Sequence, residues 1–327
     1  MKLQSRPRQA QKGSRRNFLT TVGTLPTALA ALPRVAAAAQ TLPQVKFGKH
    51  SISRLLCGSN TFGALSHLSE MINHEMRQYY TPEQIVKTLH RCQEAGINAA
   101  QGLRPQHYAR FVEEGGRIQV FSNGQGDPAR IEALAKTGCI GIHHFGVATD
   151  TLYKAGELST VREYLKRVRD TGLLTGLCSH IPAVIETAES QGWDVDYYMT
   201  CAYQWGRTQA EFEKLFGDRK DLLPIEAYTM LAGDIYPEVF LSGDPPRMFK
   251  TVRQVKKPCL VYKILAAGRR AETPKTVEEA FQEAFENIKP TDAIIVGFYP
   301  RYMDHIAADA ELVRRYGSNT ALVSGAL

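Results

Sequence analysis

Residues 160–201 read TVREYLKRVRDTGLLTGLCSHIPAVIETAESQGWDVDYYMTC, and this stretch decides the fold. Val161, Leu165 and Val168 recur at i, i+4 and i+7, which is one apolar stripe on a helix. Leu173–Cys178 follows as a short apolar run without that period. Pro182 opens a second helical segment to Gln191, and Val195–Cys201 is a second apolar run. Strands that alternate with helices in this way predict a parallel sheet under helical cover.

The same alternation extends in both directions. Further strand candidates are Ile52–Cys57, Ile97–Ala100, Ile118–Phe121, Cys139–His143, Cys259–Lys263 and Ala293–Val296. Helices are expected over Pro82–Ala95, Pro128–Lys136, Thr160–Thr171, Pro182–Gln191 and Thr276–Asn287. Thr81-Pro82 and Asp127-Pro128 each place a capping side chain before a proline at the first helical position. Eight strands favour closure into a (β/α)8 barrel. No Gly-x-Gly-x-x-Gly turn follows an early strand, so the open doubly wound sheet lacks its phosphate-binding turn. Two segments, Thr61–Tyr80 and Trp205–Lys257, exceed plain connections. Both are expected at the C-terminal face of the barrel as lids or substrate walls.

The first 39 residues read differently. They contain Lys2, Arg6, Arg8, Lys12, Arg15, Arg16 and Arg34 and no acid. Ser14-Arg15-Arg16-Asn17-Phe18-Leu19 precedes a weakly apolar stretch that ends in Ala36–Ala39, the order of parts in an export signal. The paired arginines resemble the twin-arginine signal, which implies the twin-arginine export machinery as a partner and a periplasmic or secreted mature protein. The apolar stretch is shorter than the ~20 residues of a membrane span, so no stable span is expected in the mature form. Removing those seven cations from the 40 Lys and Arg leaves 33, equal to the 33 Asp and Glu. The mature part, residues 40–327, is therefore near neutral, and nucleic-acid binding has no compositional support. None of the six cysteines forms a C-x-x-C pair, and five lie in or beside predicted strands as small hydrophobes.

Several stretches, in order, resemble the aldo-keto reductase superfamily from Val45 to about Tyr316. They are Val45–Leu55 with Gly58 and Thr61-Phe62-Gly63, then Ala95-Gly96-Ile97-Asn98, Leu173–Ser179, Tyr262–Arg269 and Ile294–Gly297. The resemblance implies a (β/α)8 barrel, carbonyl reduction with NADP(H), and an Asp, Tyr, Lys and His tetrad. Most of that tetrad is missing. Gln101 stands at the Asp position, Gln106 at the Tyr position with Tyr108 two residues on, and Ser122-Asn123-Gly124 where the Lys belongs. His143 alone matches, with Lys263 as the one lysine able to rebuild the set. A neutral Gln gives a tyrosine acid no help in losing its proton. For the cofactor, the resemblance implies Ser179 at the nicotinamide amide with His180 replacing the partner Asn. It further implies Tyr262 stacking on the ring, Leu265 following, and Arg301 on the phosphates.

The residues themselves leave three reaction classes open. One is a divergent oxidoreductase on a small polar carbonyl or carbohydrate-like substrate, with His143 acting on the carbonyl oxygen. A second is a cofactor-free or metal-dependent lyase or isomerase using His143, His180 and Lys263; His143, His180 and Glu226 would then suit Zn, Mn or Fe. A third is a ligand-binding protein without chemistry. His143 is the central candidate in all three, with His180 next.

Overall fold

A computed structural model describes residues 41–318 apart from 209, 212, 213 and 215–239. The export-signal reading of residues 1–39, and Glu226, lie outside the described residues. An antiparallel hairpin comes first, β1 (Gln44–Phe47) with β2 (His50–Ser53), paired from Gln44↔Ser53 to Phe47↔His50. Eight parallel strands then close a barrel: β3 (Leu55–Gly58), β4 (Ala99–Gln101), β5 (Gln119–Asn123), β6 (Gly141–His144), β7 (Leu174–Ser179), β8 (Tyr197–Cys201), β9 (Cys259–Tyr262) and β10 (Ala293–Gly297). β10 pairs with β3, Ile294 against Leu55, and seals the ring. The (β/α)8 architecture is thus present.

Each strand lands within about two residues of its expected position except the first. Ile52–Cys57 is broken at Arg54, which separates hairpin from barrel. The Arg54 guanidinium is buried and donates to the carbonyls of Asp292 (2.9 Å), Gly317 (2.6 Å) and Lys289 (2.9 Å). It lies over the Phe285 ring, and burial pushes its pKa down to about 10. Val45, Phe47 and Ile52 of the hairpin plug the lumen from below, with Phe47 edge-on to Phe121 (5.7 Å) and Tyr197 (5.9 Å).

Ten α-helices surround the barrel among the described residues: α1 (Glu70–Tyr79), α2 (Pro82–Glu94), α3 (Pro105–Glu113), α4 (Ile131–Ala135), α5 (Gly146–Lys154), α6 (Leu158–Asp170), α7 (Pro182–Ser190), α8 (Asp244–Gln254), α9 (Pro274–Asn287) and α10 (His305–Tyr316). Thr81 caps α2 by accepting from the Gln84 N–H, and α6 buries Val161, Tyr164, Leu165 and Val168 as its period requires. Asp127 caps only a 3-10 turn ahead of the short α4. The two long segments are not plain loops. Thr61–Tyr80 contains α1, and Trp205–Lys257 contains α8, which packs on α7 as ordinary barrel cover.

Candidate active site

Parallel strands deliver all their C-terminal ends to one face, where side chains from different strands converge. Alternation along β7 sets what reaches that face. Leu177 joins the outer layer under the helices and Cys178 the lumen. Ser179 turns outward again, toward α5. His180 follows at the rim.

The centre of this face is a chain of polar groups built on β7, α5 and β9. Asp150, on α5, is the anchor. Its carboxylate accepts from Ser179 Oγ (2.6 Å) and from the His180 backbone N–H (3.3 Å to each oxygen), and lies 2.6 Å from His180 Nδ1. A carboxylate only accepts, so Nδ1 carries a proton, and in that tautomer Nε2 is free to accept. That Nε2 lies 2.9 Å from Tyr262 Oη at the end of β9. Cys178 Sγ is 3.5 Å from the same hydroxyl. The side chains of Asp150 and His180 are 4% and 7% exposed, so the pair is held out of water. Burial, and then the Cys178 thiol beside it, drives the Tyr262 phenol well above its usual range. The Trp205 indole packs on the imidazole at 5.8 Å, tilted by 42°.

His143 is placed otherwise. It points into the lumen beneath this chain, 1% exposed, with Nδ1 3.2 Å from Tyr197 Oη and Nε2 3.4 Å from Gln101 Nε2. Burial, with a smaller contribution from His144, pushes it down to about 3. It is a neutral imidazole within the barrel packing, joined there by Gln101. His144 faces the opposite way, hydrogen-bonded to Thr149 at 2.7 Å and edge-on to Tyr164.

The structure places the further candidates as follows. Tyr108 is half-buried on α3 against the outer layer, with its phenol raised by burial and by Cys139, so it does not replace the missing proton donor at the mouth. Ser179 is wholly buried with its hydroxyl committed to Asp150 and Ile181, and has no free face for a nicotinamide amide. Leu265 packs on the outer layer. Arg301 is ion-paired with Glu75 at 2.7 Å in a separate cleft of about 400 Å³ between α2 and the turn after β10. Lys263 adopts a left-handed backbone (φ 62°) directly after Tyr262, with Nζ 5.5 Å above the Phe240 ring.

The metal set is not assembled among the described residues, where no group of three or more His, Cys, Asp or Glu converges. Both nitrogens of His143 and of His180 are already hydrogen-bonded. Asp150 stands in the sequence as an acid beyond the fourth barrel strand, and nothing local marks its partner on the next strand. Cys178 read as plain core. The one signal for the chain was position: His180 at a strand end beside an acid-bearing helix.

No protein-family model and no curated protein matches the chain. Solved structures that resemble it include a truncated 3-deoxy-D-arabino-heptulosonate 7-phosphate synthase from Thermotoga maritima, at 12% identity over 84% of this chain and 91% of that one, with TM-score 0.46. Another is the N-acetylmannosamine-6-phosphate 2-epimerase from Clostridium perfringens, at 12% identity over 73% and 86%, TM-score 0.40. A probable 2-pyrone-4,6-dicarboxylic acid hydrolase from Acinetobacter baumannii is similar at 11% over 70% and 81%, TM-score 0.38. At such identities the likeness concerns the barrel and not its chemistry.

Proposed function

We propose that the protein is a barrel enzyme that moves protons on a small polar, carbonyl-bearing or carbohydrate-like molecule at the C-terminal mouth, as an isomerase or lyase. The observation that carries this reading is the unbroken Asp150–His180–Tyr262 chain, which ends at Tyr262, a half-buried residue at the end of β9. Tyr262 Oη takes a proton from the carbon beside the substrate carbonyl while its own proton passes to His180 Nε2. Asp150 holds the ring and stabilises the imidazolium that forms. Reversal at a neighbouring carbon completes an isomerisation; expulsion of a leaving group completes an elimination. Positioned acid–base groups contribute on the order of 10²–10⁴ in rate.

The aldo-keto reductase resemblance enters this proposal as ancestry, with the tetrad lost and a different set of strand ends in use. Nicotinamide does not fit Ser179 as it stands, so no step is routed through it. Export by the twin-arginine route, to the periplasm or beyond, is part of the same proposal and rests on Arg15, Arg16 and the apolar run after them.

The test is solvent hydrogen exchange. The purified protein is incubated in D2O with a panel of hydroxy-aldehydes, hydroxy-ketones and 2-keto acids, and deuterium at the carbon beside the carbonyl is followed by NMR. Exchange with at least one compound, reduced to background by Tyr262→Phe at unchanged fold, is expected. Exchange that Tyr262→Phe leaves intact, or none with any compound, sinks the reading.

A further inference from the structure

The turn after β8 contains a buried ion pair whose cost calls for an explanation. Arg207 and Asp244 are 3% and 4% exposed and bonded to each other through Arg207 Nη2 and Asp244 Oδ1. Removing two such charges from water is expensive. A well-packed apolar pair of similar volume is often as stable or more so, which makes the pair weak as a stability device. What it does do is close residues 204–207 into a ring. Arg207 Nη1 donates to the Gln204 carbonyl at 2.9 Å, and the second Asp244 oxygen accepts the Gln204 backbone N–H at 3.3 Å. Gly206 takes φ +68° between these anchors, and Lys154 of α5 bonds its carbonyl.

Trp205 sits inside that ring. Its indole is one of two rings against His180; the other is Tyr262, whose ring is 5.6 Å from the imidazole at 75°. The crevice lined by His180, Pro182, Cys201, Gln204 and Asp244 leaves no room for a water molecule. The ion pair thus holds both ends of the turn that carries the indole, and the indole meets the imidazole.

We infer that the Arg207–Asp244 pair is a positioning device that clamps Trp205 onto His180. The indole shields the imidazole, so that its Nε2 exchanges protons through Tyr262 rather than with bulk water. This inference rests on the proposed role of His180. Arg207 and Asp244 act through Trp205, which lies between the two anchors and meets the imidazole.

The test measures access to His180 and needs no substrate. The protein is treated with diethyl pyrocarbonate, and modification of His180 is followed by peptide mass spectrometry against exposed His74 as internal reference. His180 should react slowly in the parent. It should react at least about ten-fold faster in Trp205→Ala, and equally fast in Arg207→Met. Arg207→Lys, which keeps the charge but not the fork, should fall between. Gly206→Ala meets no neighbouring atom but strains the left-handed turn, and should also speed the reaction. It keeps both charges, so it serves if Arg207→Met does not fold. In a Trp193→Phe background, which leaves Trp205 as the single tryptophan, its emission should shift to the red and acrylamide quenching should rise several-fold in Arg207→Met and in Gly206→Ala. Unchanged labelling in Trp205→Ala would show that the indole is not a shield. Unchanged labelling in both folded turn variants would show that the pair does not act through it. Hydrogen exchange and labelling are separate readouts, so failure of one reading is distinguishable from failure of the other.

Discussion

Replacing Asp150 by Asn keeps the shape of the anchor and removes its charge. In the parent, two short contacts at 2.6 Å converge on this carboxylate, from Ser179 Oγ and His180 Nδ1, with the His180 amide at 3.3 Å from each oxygen. Hydrogen bonds to charged groups are each worth about 1.5–3 kcal/mol net, against about 0.5–1.5 for neutral ones. Converting both short bonds costs about 2 kcal/mol. The new amide also brings donors to a place where two donors already point, which adds about 1–3 kcal/mol if one stays unpaired. A loss of about 2–5 kcal/mol corresponds to a melting temperature lower by roughly 4–20 °C for a domain of this size. The second consequence is chemical. An amide N–H facing Nδ1 moves the ring proton to Nε2, where it opposes the Tyr262 hydroxyl proton. Calorimetry gives the first quantity, and 15N shifts of labelled histidine give the tautomer. Exchange activity should fall by at least about 10²-fold. A variant that melts within about 1 °C of the parent, well short of the shift expected from the lost bonds, and keeps the Nδ1–H tautomer would refute the reasoning.

Arg54→Met leaves three buried carbonyls without their donor and should cost about 3–5 kcal/mol, read as a lower denaturation midpoint at unchanged slope. His143 and His144 are pushed down to about 3 and about 4 by burial, while the unfolded chain binds a proton at each below about pH 6.5. Their stabilisation is therefore complete above pH 6.5 and is lost as pH falls through that window, by about 1.4 kcal/mol per pH unit for each. His144→Asn should remove one share of that slope between pH 6.5 and 4, and an unchanged slope would contradict the burial argument. Asp309, inside α10, has the opposite sign: burial pushes it up to about 7, so it is protonated in the fold and ionised when unfolded between about pH 4 and 7. Asp309→Asn should gain on the order of 1–3 kcal/mol at pH 8 relative to its effect at pH 4, and equal effects at both pH values would argue against a buried neutral acid.

Much of the fold was legible without coordinates, because it depends on short-range patterns. The stripe Val161, Leu165, Val168 and the run Leu173–Cys178 differ in period, and period alone separates helix from strand. Thr81-Pro82 marks a helix start by local chemistry, and the structure confirms its cap. Asp127-Pro128 carries the same signal but produces only a 3-10 turn, since the residues after it offer too short an apolar stripe to extend it. The helices α1, α3, α5, α8 and α10 were not among those expected, although α1, α3 and α8 are as clearly amphipathic as α2. Arg54 breaks the first strand because its carbonyl partners come from near the other end of the chain, which no local window contains.

The active-site candidates divide along the same line. That His143 and His180 end strands, and so belong to the C-terminal half of a barrel, follows from sequence order. Which imidazole lies in the packed lumen and which reaches the rim does not, because His143 ends an inward-facing row inside β6 while His180 has stepped past the end of β7. The partners of His180 are Asp150, 30 residues before it, and Tyr262, 82 residues after it. Hydrogen bonds of such separation are set by strand order and barrel closure. Composition and spacing determined that this chain would bury one core within a ring of parallel strands. Only the closed ring decided that a carboxylate from one helix, an imidazole from one strand end and a phenol from another would meet within 3 Å contacts.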